Sequence, residues 1–220
     1  MTQSAAAEPQ LTIALSKGRI FDETRPLLKA VGIEIRDEDL AGRQLRITSM
    51  CGQYALLILR ATDVPVFVSQ GAADLGVVGK DVLMEQRPVD VYEPLDLQIA
   101  CCRLMVAEPI EAEPKPAFRQ VKRVATKYLK VAEEYFATKS EQVELVKLYG
   151  SMELAPVVGL ADAIVDVVDT GKTLAANGLK ATEHIADISS RLVVNKSSMK
   201  RKHEAIHRVL TGLEAVLHGS

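Results

Sequence analysis

The stretch 161–179, ADAIVDVVDTGKTLAANGL, constrains this chain more than any other. The apolar run Ala163-Ile164-Val165 meets Asp166. Two valines then lead to Asp169-Thr170-Gly171-Lys172-Thr173, and helix-like spacing follows. The pattern reads as a buried strand ending in a glycine turn that opens a helix. A helix start offers unpaired backbone N–H groups and the positive end of the macrodipole, which together attract an anion. Gly171, without a Cβ, lets backbone approach that anion closely. Thr170 and Thr173 can donate hydroxyls, and Lys172 adds a compact charge. Asp166 and Asp169 repel a phosphate, but suit ribose hydroxyls or a Mg2+ ion beside it. A ligand carrying phosphate and ribose is therefore expected. The loop is not a Walker motif, because GxxxxGK[ST] needs glycine where Asp166 stands. An ordinary αβ turn with a threonine N-cap also fits these residues, and the loop alone leaves both readings open.

The rest of the chain bounds the choice. Its 220 residues suffice for one large domain or two small ones. Net charge is −2 with no long basic block, and there is no Trp, so neither electrostatics nor stacking platforms point to a nucleic acid. Cys51, Cys101 and Cys102 form no CxxC pair and are odd in number, which fits a reducing cytoplasm better than a disulfide framework. Residues 1–10 lack a basic and an apolar segment and read as a loose tail, not a signal peptide. No apolar run approaches the about 20 residues of a membrane helix, so no membrane partner is expected.

Taken in order, residues 11–15 read as a buried strand followed by Ser16-Lys17-Gly18-Arg19. A helix then places Ile20, Phe21, Thr24, Leu27, Leu28 and Val31 on one face and stops at Gly32. That turn can hold an anion, or be a cap with solvated Lys17 and Arg19. Weak strand patterns at 33–35 and 45–47 flank a polar loop, DEDLAGR, carrying Arg43. Residues 54–59 read as a central parallel strand, followed by Arg60 and by Asp63 as N-cap of a short helix containing Pro65. Residues 74–79 form the next strand, with Lys80-Asp81 at its end and a helix that Pro88 limits. In open α/β sheets ligands bind outside the carboxyl ends of the strands. Ser16–Arg19, Arg60–Asp63 and Lys80-Asp81 are thus expected on one rim.

Residues 89–107 read as a strand-like apolar stretch, and 108–117, with three prolines, as a connector. A second series follows: a strand at 121–126, a helix with Leu129, Ala132 and Phe136, a strand at 143–148, and Gly150-Ser151-Met152-Glu153 leading into a short helix. The 161–179 unit comes next, then a last strand at 185–195 and a helix at 197–218. The expected fold is α/β and two-lobed: 1–105 with 187–220 in lobe I, and 106–186 in lobe II carrying the phosphate loop. The ligand is expected in the inter-lobe cleft. His203-Glu204-Ala205-Ile206-His207 spells HExxH, but the surrounding MKRKHEAIHR cations disfavour a dication and no third ligand is apparent, so no metal residues are assigned.

Taken together, LSKGR (15–19), LRATDVP (59–65), GAADLGVVGKDVL (71–83), ATKY (125–128), KLYGSMELAP (147–156) and DVVDTGKTLAANGL (166–179) resemble the ATP phosphoribosyltransferase family. The resemblance spans roughly 11–200 in order. It implies a fold similar to type II periplasmic binding proteins, and transfer of phosphoribose from phosphoribosyl pyrophosphate to N1 of the ATP adenine with Mg2+, releasing pyrophosphate. It implies that Thr170, Gly171, Lys172 and Thr173 hold the 5-phosphate, that Asp166 and Asp169 lie beside the ribose, and that Glu153 is a second ribose contact. Lys17, Arg19 and Arg43 become candidates for stabilising the departing pyrophosphate, with Ser16 and Gly18 in the same turn. Arg60, Asp63 and Asp81 become candidates for holding ATP. The chain looks like the family's short form, with no histidine-binding domain after the last helix. That form implies a cytoplasmic homodimer core joined to a regulatory subunit resembling histidyl-tRNA synthetase in a hetero-octamer, with weak histidine inhibition of the isolated chain. A small-molecule-binding module of the same two-lobed fold without catalysis is the competing reading. A phosphoribosyltransferase of the more common type, whose TGGT loop resembles DVVDTGKT, is a third, against which the strand order and LSKGR argue.

Overall fold

The computed structural model describes residues 9–111 and 121–219. Most of the tail expected at 1–10 and of the connector expected at 108–117 lies outside them. The chain divides into two compact units. One comprises 1–83, 87–100 and 189–220, and the other 84–86 and 101–188.

In chain order the first unit contains β1 (Leu11–Ser16), α1 (Arg19–Ala30), α2 (Asp37–Ala41), β2 (Arg46–Thr48), β3 (Tyr54–Leu59), α3 (Val64–Ser69) and β4 (Leu75–Gly79). Then come α4 (Lys80–Gln86), whose last turn groups with the second unit, and β5 (Val91–Asp96). The second unit carries β6 (Cys102–Pro109), β7 (Lys122–Thr126), α5 (Leu129–Thr138), β8 (Val143–Lys147), α6 (Leu154–Val157), β9 (Ala163–Val168), α7 (Lys172–Ala176) and β10 (Leu179–Ile188). The chain returns to the first unit with β11 (Ser190–Asn195), α8 (Lys196–Arg201) and α9 (His203–His218).

The first sheet has the order β2-β3-β1-β4-β11-β5. Near-continuous apolar strands such as LTIALS and LGVVG can sit only where both faces are covered. Accordingly β1 lies in the middle, parallel to β3 and β4, and its alternate residues Leu11, Ile13 and Leu15 are buried in one cluster with Leu28 of α1. The face Ile206, Val209, Leu210 and Leu213 of α9 closes the same cluster. The second sheet has the order β10-β6-β9-β7-β8, so the strand bearing the expected phosphate loop is central. It runs parallel to β7 and antiparallel to β6.

Several elements differ from their sequence reading, each for a local reason. Residues 33–35 form no strand. Ile33 and Ile35 are buried as the alternation requires, but in place of a ladder the stretch makes scattered bonds, Ile33 N–H to Leu28 C=O and Met50 N–H to Glu34 C=O, each at 2.8 Å, and the Arg25 guanidinium to Ile35 C=O at 3.4 Å. The polar loop DEDLAGR begins as helix α2, whose three first-turn acids complement the helix dipole. The stretch 89–107 is two strands in different sheets, β5 and β6, separated by a turn with Gln98 and Ala100 at φ 54° and 50°. The strand read at 185–195 is likewise the end of β10 and all of β11. The helix at 197–218 breaks at Lys202 into α8, capped by Asn195 Oδ1 accepting Ser198 N–H at 2.8 Å, and α9. Asp63 does precede α3, but its side chain makes no capping bond.

One buried carboxylate ties the first unit together. Asp74 accepts the Thr12 N–H at 2.8 Å, the Ser198 hydroxyl at 2.6 Å and the Lys202 ammonium at 2.8 Å. It thus joins the chain entering β4 to β1 and α8. Replacing Asp74 with alanine leaves a buried N–H and hydroxyl unpaired, so unfolding stability is expected to fall by about 3 kcal/mol. Denaturant titration of the variant against wild type measures this, and a loss under 1 kcal/mol would contradict the role.

Candidate active site

In the second unit, parallel pairing brings the ends of β8, β7 and β9 to one edge of the sheet. Thr126 pairs with Val165 and Lys147, and both following turns leave from there. Thr126 is wholly buried. Its hydroxyl donates to Val165 C=O at 2.7 Å and accepts the Tyr128 N–H at 2.9 Å, which locks the ends of β7 and β9 together. Asp166 is partly buried on β9, and its Oδ1 accepts the neighbouring Val167 N–H at 2.8 Å. Beyond β9, Asp169 and Thr170 are exposed, Gly171 takes φ +76° as N-cap of α7, and Lys172 and Thr173 open the helix. Left-handed backbone at this position costs a side-chain-bearing residue on the order of 1–2 kcal/mol, which is why glycine stands here. The turn that the sequence predicts is therefore present, with the strand, the left-handed glycine and the helix start in the expected order.

Glu153 stands at the head of α6, anchored by the buried Met152 beside it. Lys127 is a group that sequence reasoning passed over. Its ammonium lies 3.7 Å from Asp166 Oδ1 and 4.8 Å from the centre of the Tyr128 ring. The signal was available in ATKY, as a cation directly after a buried strand. It acquired meaning only once β7 was known to neighbour β9.

In the first unit the expected rim forms. β3, β1 and β4 are adjacent and parallel, so Arg60–Asp63, Ser16–Arg19 and Lys80-Asp81 all follow strand ends on one edge. Arg43 reaches the same edge by a different route. Because β2 runs antiparallel to β3, with Arg46 opposite Leu57, the loop entering β2 lies where β3 ends. Leu45 C=O accepts the Ile58 N–H there at 2.8 Å. Ser16 is buried, while Lys17, Arg43, Arg60 and Asp63 are exposed. Gly18 is the N-cap of α1 at φ +90°. Arg19 is tied to Glu23, Nε to Oε1, at 2.7 Å. Asp81 folds back over Gly79, where an added Cβ would collide with Asp81 Oδ1, so glycine allows that placement.

The charge at this edge is shaped by Glu23. Its carboxyl is held below the ordinary value, first by the Ala100 N–H it accepts and then by Arg19. Lys80 is engaged elsewhere, bonded to both oxygens of Glu93 at 2.8 Å. His203 and His207 stack at 5.6 Å between ring centres on α9. Among the described residues no group of three or more His, Cys, Asp or Glu could hold a metal ion. Magnesium is commonly held by one or two carboxylates plus substrate phosphates. Two carboxylates, Asp166 and Asp169, stand beside the loop, a donor set of that kind. Among the described residues no helix is long and apolar enough to cross a membrane.

Two mixed sheets, each with charged turns leaving its carboxyl edge, define an α/β protein of the type II periplasmic-binding-protein-like class. A putative L-cystine ABC transporter protein from Listeria monocytogenes shares this fold at TM-score 0.60 and 12% identity, over 94% of this chain and 89% of that one. Closer likenesses give the family. The family model HisG: ATP phosphoribosyltransferase matches residues 60–215. An ATP phosphoribosyltransferase of Ectopseudomonas mendocina (strain ymp) is 58% identical over 207 residues, 94% of this chain and 97% of that protein. One from Pseudomonas aeruginosa (strain PAO1) is 59% identical over 203 residues, 92% of this chain and 95% of that protein. The ATP phosphoribosyl transferase (HisG:HisZ) complex from Thermotoga maritima matches at TM-score 0.80 and 30% identity, over 96% of this chain and all of that one. The chain belongs to the ATP phosphoribosyltransferase family of histidine biosynthesis.

The Thr126 bridge yields a test of how the phosphate turn is supported. Thr126→Val keeps the shape and removes both of these buried hydrogen bonds, to Val165 C=O and from Tyr128 N–H. A loss of about 2 kcal/mol is expected in urea unfolding. An unchanged midpoint would show that the bridge does not hold β7 to β9.

Proposed function

We propose that this chain joins N1 of the ATP adenine to C1 of 5-phosphoribosyl 1-pyrophosphate, giving N1-(5-phosphoribosyl)-ATP and pyrophosphate. The observation that carries the reading is the phosphate turn after β9, in a chain that its family model covers from residue 60 to 215. The 5-phosphate docks on that turn, accepting hydrogen bonds from its backbone N–H groups, the Thr170 and Thr173 hydroxyls and the Lys172 ammonium. Asp166 accepts hydrogen bonds from the ribose hydroxyls, and Glu153 is a second ribose contact. Lys127, 3.7 Å from Asp166 Oδ1, helps orient the carboxylate for that task.

The bond from C1 to the pyrophosphate oxygen breaks through an oxocarbenium-like transition state, and negative charge grows on the leaving group. Fixed cations aimed at that charge lower the barrier, since they need no reorganisation when it develops. Lys17, Arg19 and Arg43 are the cations assigned to it. Asp166 and Asp169 would hold Mg2+, which would supply neutralisation of part of the same charge. The adenine N1 already carries a lone pair, so no general base is required. Ser16 and Gly18 belong to the substrate-binding turn that carries Lys17 and Arg19, and Arg60, Asp63 and Asp81 hold ATP. We assign the protein to the cytoplasm, consistent with its three free cysteines. Its partners are a second copy of the chain and a regulatory subunit of the kind present in the Thermotoga maritima complex, in a hetero-octamer. A binding module of the same fold without catalysis rests on likenesses that carry fold alone.

A continuous absorbance assay for phosphoribosyl-ATP tests the reading, using the purified chain, ATP, phosphoribosyl pyrophosphate and Mg2+ with pyrophosphatase present. Product is expected from the chain alone or with its regulatory subunit added. Its absence in both cases would overturn the assignment. Arg19→Ala is expected to lower kcat about a hundredfold while changing KM less, as for loss of one donor to a developing anion. A tenfold rise in KM at unchanged kcat would remove Arg19 from that role. Gly171→Ala forces a side chain into left-handed backbone, and is expected to raise KM for phosphoribosyl pyrophosphate about tenfold. An unaltered KM would place the 5-phosphate elsewhere.

A further inference from the structure

Arg19 occupies a position that helix energetics alone do not favour. It is the first residue of α1, so its cation sits at the positive end of the macrodipole. Its partner Glu23 lies four residues toward the C-terminus, the less favourable order for an i,i+4 pair. Both side chains are well exposed, at 49% and 38%, where such pairs add little to stability. A local rule broken without gain in stability is characteristic of a functional site.

The other oxygen of Glu23 explains what the pair does. Oε2 accepts the Ala100 N–H at 2.6 Å, 77 residues away in sequence, while Oε1 holds Arg19 Nε at 2.7 Å. Ala100 ends the segment by which the chain leaves the first unit, and that segment is set by several bonds. Leu97 N–H donates to Ser190 C=O at 2.9 Å, and Ser190 N–H to Ile99 C=O at 3.0 Å. Asp96 Oδ1 accepts the Gln98 N–H at 2.9 Å and the Ser189 hydroxyl at 2.7 Å. Gln98 and Ala100 adopt left-handed backbone without being glycine, which persists only where surrounding contacts determine it. The Ala100 N–H is therefore a fixed donor, and the carboxylate it holds is a fixed acceptor.

We propose that Glu23 is a positioning residue for Arg19, transmitting the placement of the 97–100 crossover to the guanidinium that stabilises the departing pyrophosphate. The inference rests on the role assigned to Arg19 above. A carboxylate is required, because two N–H donors must be accepted at once by two oxygens. A glutamine offers one acceptor oxygen and would release either Ala100 or Arg19. The depressed pKa of Glu23 agrees with this, its largest cause being the Ala100 N–H.

The experiment is a double-mutant cycle on Arg19→Ala and Glu23→Gln, with kcat and KM for both substrates from the phosphoribosyl-ATP assay and thermal unfolding alongside. Glu23→Gln is expected to lower kcat about tenfold, as for a misplaced catalytic group, with both KM values and the unfolding midpoint little changed. The double variant is expected to match Arg19→Ala alone, because a positioning residue has nothing left to position. Effects that multiply in the double variant, or a Glu23→Gln enzyme with wild-type kcat, would overturn the inference while leaving the activity and Arg19 in place. An Arg19→Ala enzyme of wild-type kcat would overturn the Arg19 role and this inference together. If E23Q folds poorly, Glu23→Asp replaces it in the same cycle. It keeps the charge but is one methylene too short to span both donors.

Discussion

In the first sheet β1 is flanked on both sides by strands that run its own way, and in the second β7 is flanked likewise by β8 and β9. Parallel neighbours must send every following turn out at the same edge. That one constraint gathers residues that lie far apart in sequence. Ser16–Arg19, Arg60–Asp63 and Lys80-Asp81 share an edge because β1, β3 and β4 are parallel, not because their sequences are alike. The antiparallel strand β2 adds Arg43 to that edge by entering where β3 leaves. In the second unit the same rule places Lys127 next to Asp166.

Holding strands parallel needs contacts that turns cannot supply. The buried carboxylate of Asp74 does this in the first unit by joining β1, the start of β4 and α8 through three hydrogen bonds. The buried hydroxyl of Thr126 does it in the second by bonding forward to Tyr128 and across to β9. Both are polar groups in apolar surroundings, and both are fully paired, so they specify register instead of weakening the core. The phosphate turn follows directly from the strand that Thr126 holds.

Two carboxylates lie beside cations, each held in its own way. Asp166 is partly buried, and its Oδ1 lies 3.7 Å from the Lys127 ammonium and accepts the Val167 N–H. Glu23 is half-buried, and its value lies in geometry: one N–H donor a helical turn away and another 77 residues distant fix where its oxygens lie. Exposed ion pairs of this kind contribute little to stability, so their presence at a rim of strand ends is best explained by the orientation they impose.

Much of this was legible in the residues alone. Apolar runs bounded by glycine and charge located β1, β3, β4 and β9 to within a residue or so, and helical spacing found α1 and the buried face of α9. The turn after β9 was visible because its glycine, hydroxyls and helix start are contiguous. Other features depended on partners distant in sequence. Alternation of apolar residues continues through 89–107 and 185–195, so sequence could not show that the chain changes sheets there, at turns set by Asp96, Ser190 and left-handed Gln98 and Ala100. It could not show that Ile33 and Ile35 are buried without a ladder, or that Lys127 faces Asp166 and Glu23 reaches Ala100. Local pattern by itself determined the elements and the make-up of the turn after β9, because strand burial and turn geometry are local. Tertiary structure alone decided which charges meet, because parallel pairing joins strand ends that the chain keeps tens of residues apart.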